Sequence, residues 1–69
     1  MKMFGIVKWF KDVKGYGYII GVDDETYFFE RIDCVNKNEN FISGDKVMFI
    51  PCFLDMDFAK EVEKVESHE

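Results

Sequence analysis

The chain is poor in the residues that build helices. It has one alanine (Ala59), one leucine (Leu54) and no glutamine in 69 residues. Those are among the strongest helix formers, so a helical bundle is excluded as the leading architecture. Histidine is nearly absent too: His68 stands alone near the end of the chain. Cysteine occurs twice, at Cys34 and Cys52, with no zinc-type spacing. One disulfide between them is conceivable, but only geometry can decide it. The expectation is a cytosolic protein with free thiols. No apolar run reaches the length of a signal-peptide core or a membrane span, and the opening Met1-Lys2-Met3-Phe4-Gly5 contains charge and glycine.

These absences also weigh against an enzyme. Neither cysteine has a nearby partner in the sequence to activate it, and the carboxylates gather in turns and at the end of the chain. No cofactor or metal site is expected. A chain of this length forms one domain, taken as residues 1–66 with a frayed tail at 67–69. So small a domain buries roughly 60% of its unfolded surface, so marginal stability is expected.

What is present belongs to strands. The chain has one tryptophan, three tyrosines and eight phenylalanines, together with many β-branched residues. Turn signals recur at short intervals: Lys14-Gly15, Gly21 with Asp23-Asp24, the 36–40 cluster, Ser43-Gly44-Asp45, and 55–57. Between them lie five candidate strands, at roughly 3–12, 15–21, 26–31, 45–53 and 58–65. Five short strands with regular turns point to a small closed β-barrel. The last segment is ambiguous, because Ala59, Val62 and Val65 recur at helical spacing. A strand or a single terminal helix both fit it.

Charge is unevenly distributed. The net charge is −5, yet residues 1–20 carry Lys2, Lys8, Lys11 and Lys14 against Asp12 alone. The rest of the chain is strongly acidic. A locally basic first third can serve an anionic partner, although the overall charge weakens long-range attraction.

That basic region holds the most informative stretch, Lys14-Gly15-Tyr16-Gly17-Tyr18-Ile19. On a strand Tyr16 and Tyr18 share a face, while Gly17 points away and admits a close neighbour. Two rings beside a cation suit nucleobases with a phosphate alongside. A hairpin centred on Asp23 pairs residues whose numbers sum to 46. Tyr18 then lies opposite Phe28, and Tyr16 opposite Glu30, with Tyr27 and Phe29 facing the core. The slipped register would bury Glu30 without a partner, so it is disfavoured. Val7-Lys8-Trp9-Phe10-Lys11 adds a second aromatic flanked by lysines. Phe4, Phe10, Phe41, Phe49, Phe53 and Phe58 are candidates for the core, but twelve aromatics exceed what so small a barrel can hold.

With these motifs in place, the chain resembles the bacterial cold-shock protein family. Gly5-Ile6-Val7-Lys8-Trp9-Phe10 is similar to the family's opening G-x-V-K-W-F, and Lys14–Ile19 resembles its first ribonucleoprotein motif, K-G-[FY]-G-F-I. Tyr27-Phe28-Phe29-Glu30 stands at the second motif. Gly44–Phe49 resembles G-x-x-V-x-F, and Ala59-Lys60-Glu61-Val62 resembles A-x-N-V. The resemblance covers nearly the whole chain. It implies an all-β, five-stranded antiparallel OB-fold barrel that binds single-stranded RNA and DNA.

By motif position the stacking rings would be Trp9, Tyr16, Tyr18 and Phe28, with Lys8 and Lys14 beside the backbone. Phe10, Glu30 and Arg31 complete the candidate site, Phe10 dividing its role between binding and packing. Three departures stand out. Glu30 and Arg31 replace the family's histidine and phenylalanine, the 36–40 loop lacks an aromatic, and the last connection carries Pro51, Leu54 and Met56. Glu30 is either a solvated edge residue paired with Arg31 or Lys8, or an acceptor for a base amino group. The expected role is an RNA chaperone or a regulator of transcription or translation, with no membrane or small-molecule substrate. The alternative is a diverged cold-shock fold that binds a protein partner, with weak or lost nucleic-acid binding.

Overall fold

The structure, a computed structural model, describes residues 1–65. The expected frayed tail at 67–69, with His68, and the last residue of the expected 1–66 domain lie outside the described residues. Five strands form: β1 (Met3–Lys11), β2 (Tyr16–Gly21), β3 (Thr26–Glu30), β4 (Lys46–Phe53) and β5 (Asp57–Lys64). They close into a barrel in the order β1-β2-β3-β5-β4, with β4 returning to β1. This is the expected five-stranded OB-type barrel. Four seams are antiparallel, and the β3–β5 seam is parallel at Phe28 and Phe58. A short 3-10 turn, Arg31–Asp33, follows β3.

The β2–β3 hairpin has the register that its turn dictates. Tyr18 pairs with Phe28 and Tyr16 with Glu30. In the turn, the Asp24 N–H donates to the Gly21 carbonyl and Asp24 takes a positive φ of 68°. That is a three-residue hairpin loop with its left-handed residue at the third position. Tyr27 is fully buried, yet its hydroxyl reaches Asp23 Oδ2 at 2.6 Å, tying the turn to the core. This hydrogen bond is the main cause of the lowered Asp23 pKa.

Two bulges set which residues face inward. In β1, Val7 pairs with Ile19 and Trp9 with Tyr18, so Lys8 is an extra residue. The extra residue reverses the alternation. Val7 points inward, Trp9 stands on the outer face with its partner Tyr18, and Phe10 packs against the core. In β5 the register shifts between the pairs Met48–Glu63 and Ile50–Lys60, and Glu61 has φ 51°. The shift lets Ala59 and Val62, three residues apart, both be buried. The helical spacing of this segment is therefore a strand with a bulge, and the terminal helix does not form.

The core consists of Val7, Ile19, Tyr27, Phe29, Cys34, Phe41, Val47, Phe49, Ala59 and Val62. Of the candidate core phenylalanines, Phe41 and Phe49 are buried, whereas Phe4 and Phe53 are exposed. Both cysteines are free, so no disulfide forms. Burial pushes the Cys34 thiol up to about 11. Among the described residues, no helix is long and apolar enough to cross a membrane, and no cluster of ligating side chains could hold a metal ion.

Candidate nucleic-acid interface

The outer face of β1, β2 and β3 brings four aromatic rings together. Trp9 lies 5.2 Å from Tyr18 and 5.8 Å from Tyr16, centroid to centroid. Phe28 lies 5.5 Å from Tyr18 and 5.8 Å from Tyr16. All four rings are half-buried, each supported by its neighbours and open to solvent on one side. The contacts are edge-on or tilted, the arrangement favoured by ring quadrupoles. Such rings do not stack on one another, and their exposed surfaces remain available.

Gly17 makes this cluster possible. A Cβ there would collide with the Trp9 carbonyl oxygen and sit 2.9 Å from the Phe10 Cα. Only a residue without a side chain lets β1 lie this close to β2 between the two tyrosines. Gly15, with φ +75°, turns the chain between β1 and β2, and its N–H donates to the Lys11 carbonyl at 2.6 Å. That turn places Lys14 at the end of the tyrosine strand.

Cations border the rings. Lys11 Nζ lies 5.5 Å from the Trp9 ring centre. Lys8 and Lys14 are exposed, and neither forms an ion pair among the described residues. The Lys8 carbonyl accepts the Ser43 hydroxyl at 2.6 Å, which anchors the bulge while leaving the ammonium group free to move.

Phe10 and Arg31 stand behind this face. Phe10 stacks on Phe29 at 5.3 Å and meets Phe41 at 5.4 Å, so its ring is mainly a packing element. The Arg31 guanidinium covers it at 5.2 Å. Every polar contact of that guanidinium goes to the protein's own loops. Nη1 donates to the carbonyls of Lys37 and Glu39 at 3.3 and 3.0 Å. Nη2 donates to the Asp12 carbonyl at 3.0 Å and to its carboxylate at 2.8 Å. Arg31 thus ties the β1–β2 turn to the 36–40 loop. Glu30 is exposed beside Tyr16 and makes no ion pair with Arg31 or Lys8; its backbone N–H donates to Asp33 Oδ2 at 3.0 Å.

The sequence reading missed two residues. Phe58 is in register with Phe28 across the β3–β5 seam and is only half-buried, so it extends the aromatic row instead of filling the core. Lys60 Nζ lies 5.8 Å from its ring. The available signal was Ala59: a small buried residue in a strand turns its neighbour Phe58 outward.

No family model matches the chain. Among curated proteins, it is 39% identical over 51 residues to the cold shock-like protein CspB of Escherichia coli (strain K12), an alignment covering 70% of each chain. With that identity and coverage, on a closed five-stranded barrel bearing the motif aromatics on one face, the chain belongs to the cold-shock protein family.

Proposed function

We propose that the protein binds single-stranded RNA and DNA by stacking bases on Trp9, Tyr16, Tyr18 and Phe28, with Lys8 and Lys14 neutralising the backbone. The observation that carries this reading is the four-ring cluster, open on one side and bordered by lysines without ion-pair partners among the described residues. A stacked base contributes about 1–3 kcal/mol. Four rings support useful affinity despite the acidic chain. Phe10 and Arg31 back the site, and Glu30 bounds it at the Tyr16 end, its exposed carboxylate serving as an acceptor for a base amino group. Holding unpaired bases apart suits an RNA chaperone or a regulator of transcription or translation in the cytoplasm, and the binding itself requires no catalysis.

Trp9 is the only tryptophan, so its fluorescence reports on the face directly. Short oligo-dT or oligo-U at low salt should quench it saturably. Tyr18→Ala or Phe28→Ala should each weaken binding by about tenfold or more at unchanged fold. Glu30→Gln should change affinity unequally among homopolymers; a uniform change would reduce Glu30 to a source of charge. Absence of quenching in the folded protein would overturn the binding reading. It would favour a protein-interaction module, for which the exposed turn residues Phe53, Leu54 and Met56 are the present argument.

A further inference from the structure

The outer face of β1 and β2 continues beyond the aromatic cluster as an apolar row. Ile6 lies opposite Ile20, and the Val22 N–H bonds to the Phe4 carbonyl at 3.0 Å, which sets Val22 beside Phe4. Phe4, Ile6, Ile20 and Val22 are 55%, 40%, 37% and 73% exposed. Solvent-facing strand positions are normally polar, and here four in a cluster are apolar. They line a shallow groove of about 690 Å³. Phe4 alone among them offers a π-face for a base, the other three being aliphatic, and only one cation borders the groove. It is therefore a poor extension of the path for a nucleic-acid strand.

The groove has one charge on each flank. Lys46 stands on the β4 side, opposite Ile6. Asp24 stands on the other side, in the turn between β2 and β3. Both are exposed, and neither makes an ion pair among the described residues.

We propose that a second copy of this chain covers the groove. A two-fold axis in the plane of the face and parallel to the strands lays Phe4 and Ile6 of one copy over Ile20 and Val22 of the other. The same operation sets Lys46 against the partner copy's Asp24 at both flanks. The surface is thus self-complementary in shape class and in charge, which a two-fold interface requires. The face is small and each chain carries a net charge of −5, so association is weak and reversible. The aromatic cluster lies farther along the same strands, so this axis sets the clusters of the two copies on the same side of the dimer, facing each other.

Sedimentation equilibrium between about 10 µM and about 1 mM should show a dimer fraction rising with concentration. Phe4→Glu should leave a monomer, and Val22→Lys gives an independent check. Asp24→Lys and Lys46→Asp, taken singly, should each weaken association by about tenfold or more. An equimolar mixture of those two variants restores opposite charges at both flanks and should associate again. Three results would each overturn the proposal: a wild-type protein monomeric throughout that range, a dimer that survives Phe4→Glu with native circular dichroism, or a charge-swapped mixture no more associated than its components. None of these measurements involves nucleic acid, so they stand apart from the stacking reading.

Discussion

Arg31 shows how one side chain can look like a ligand group and act as a brace. In sequence it is a cation next to the second motif, a natural phosphate contact. In the structure its guanidinium joins Asp12 to the carbonyls of Lys37 and Glu39 above the Phe10 ring. Arg31→Gln separates the two roles. As a brace, its loss loosens the turn that carries Lys14, costing about 0.5–1.5 kcal/mol of ordering, or roughly two- to tenfold in affinity. The dependence of log K on log salt then keeps its slope. Were Arg31 a phosphate contact, the slope would become shallower by about 0.7. Fluorescence titrations at several salt concentrations decide between these, and a shallower slope would return Arg31 to the ligand.

At the scale of the element, β5 carries a conformational cost at a known position. Glu61 adopts φ 51°, in the left-handed region, with its side chain exposed. That conformation disfavours any residue with a Cβ by roughly 1–2 kcal/mol. Glu61→Gly relieves it at the expense of greater chain entropy when unfolded, and should raise stability by about 0.5–1 kcal/mol in urea titrations. A fall in stability would mean that the Glu61 side chain contributes something its exposure hides. The bulge also explains how legible β5 was. Ala59 and Val62 at spacing three read as helix or strand, and nothing local in the sequence marked the inserted residue. The β2–β3 hairpin was the opposite case. Its Asp23-Asp24 turn fixes the register, and burial of a lone carboxylate excludes the slip, so the sequence alone puts Tyr16, Tyr18 and Phe28 on one face. Phe58 was harder because its neighbour across the seam, Phe28, comes from a parallel pairing of strands distant in sequence. Arg31 was harder still, since three of its four hydrogen bonds go to backbone carbonyls, which carry no residue signature.

At the scale of the whole molecule, barrel closure makes Cys34 a reporter of global unfolding. The residue is 2% exposed and its backbone forms the bridge to Val62 that joins the end of the 3-10 turn to β5. Burial lifts its pKa from 9.0 to about 11, so the native state holds its proton where the unfolded chain releases it. The sign follows: this group's contribution is fully present below about pH 9 and is lost as pH rises toward 11. Stability measured by urea titration should therefore decline over that interval, and Cys34→Ala should decline less steeply. Half-buried Cys52 should react with a thiol reagent well before Cys34, whose modification should keep pace with global opening. Equal rates at the two cysteines would show that the segment after β3 opens by itself.

The extra residue at Lys8 bears on transplanting this surface. Val7 and Phe10 both face the core, a step of three where an unbroken strand allows only two, and Trp9 faces out because of it. An unbroken strand that kept all of these residues would exchange the roles of Trp9 and Phe10, turning the indole inward and a phenyl ring outward. The rings alone are therefore not a portable motif. Grafting this face onto another barrel requires the Lys8 insertion, its Ser43 anchor and the bare backbone of Gly17 as one inseparable unit.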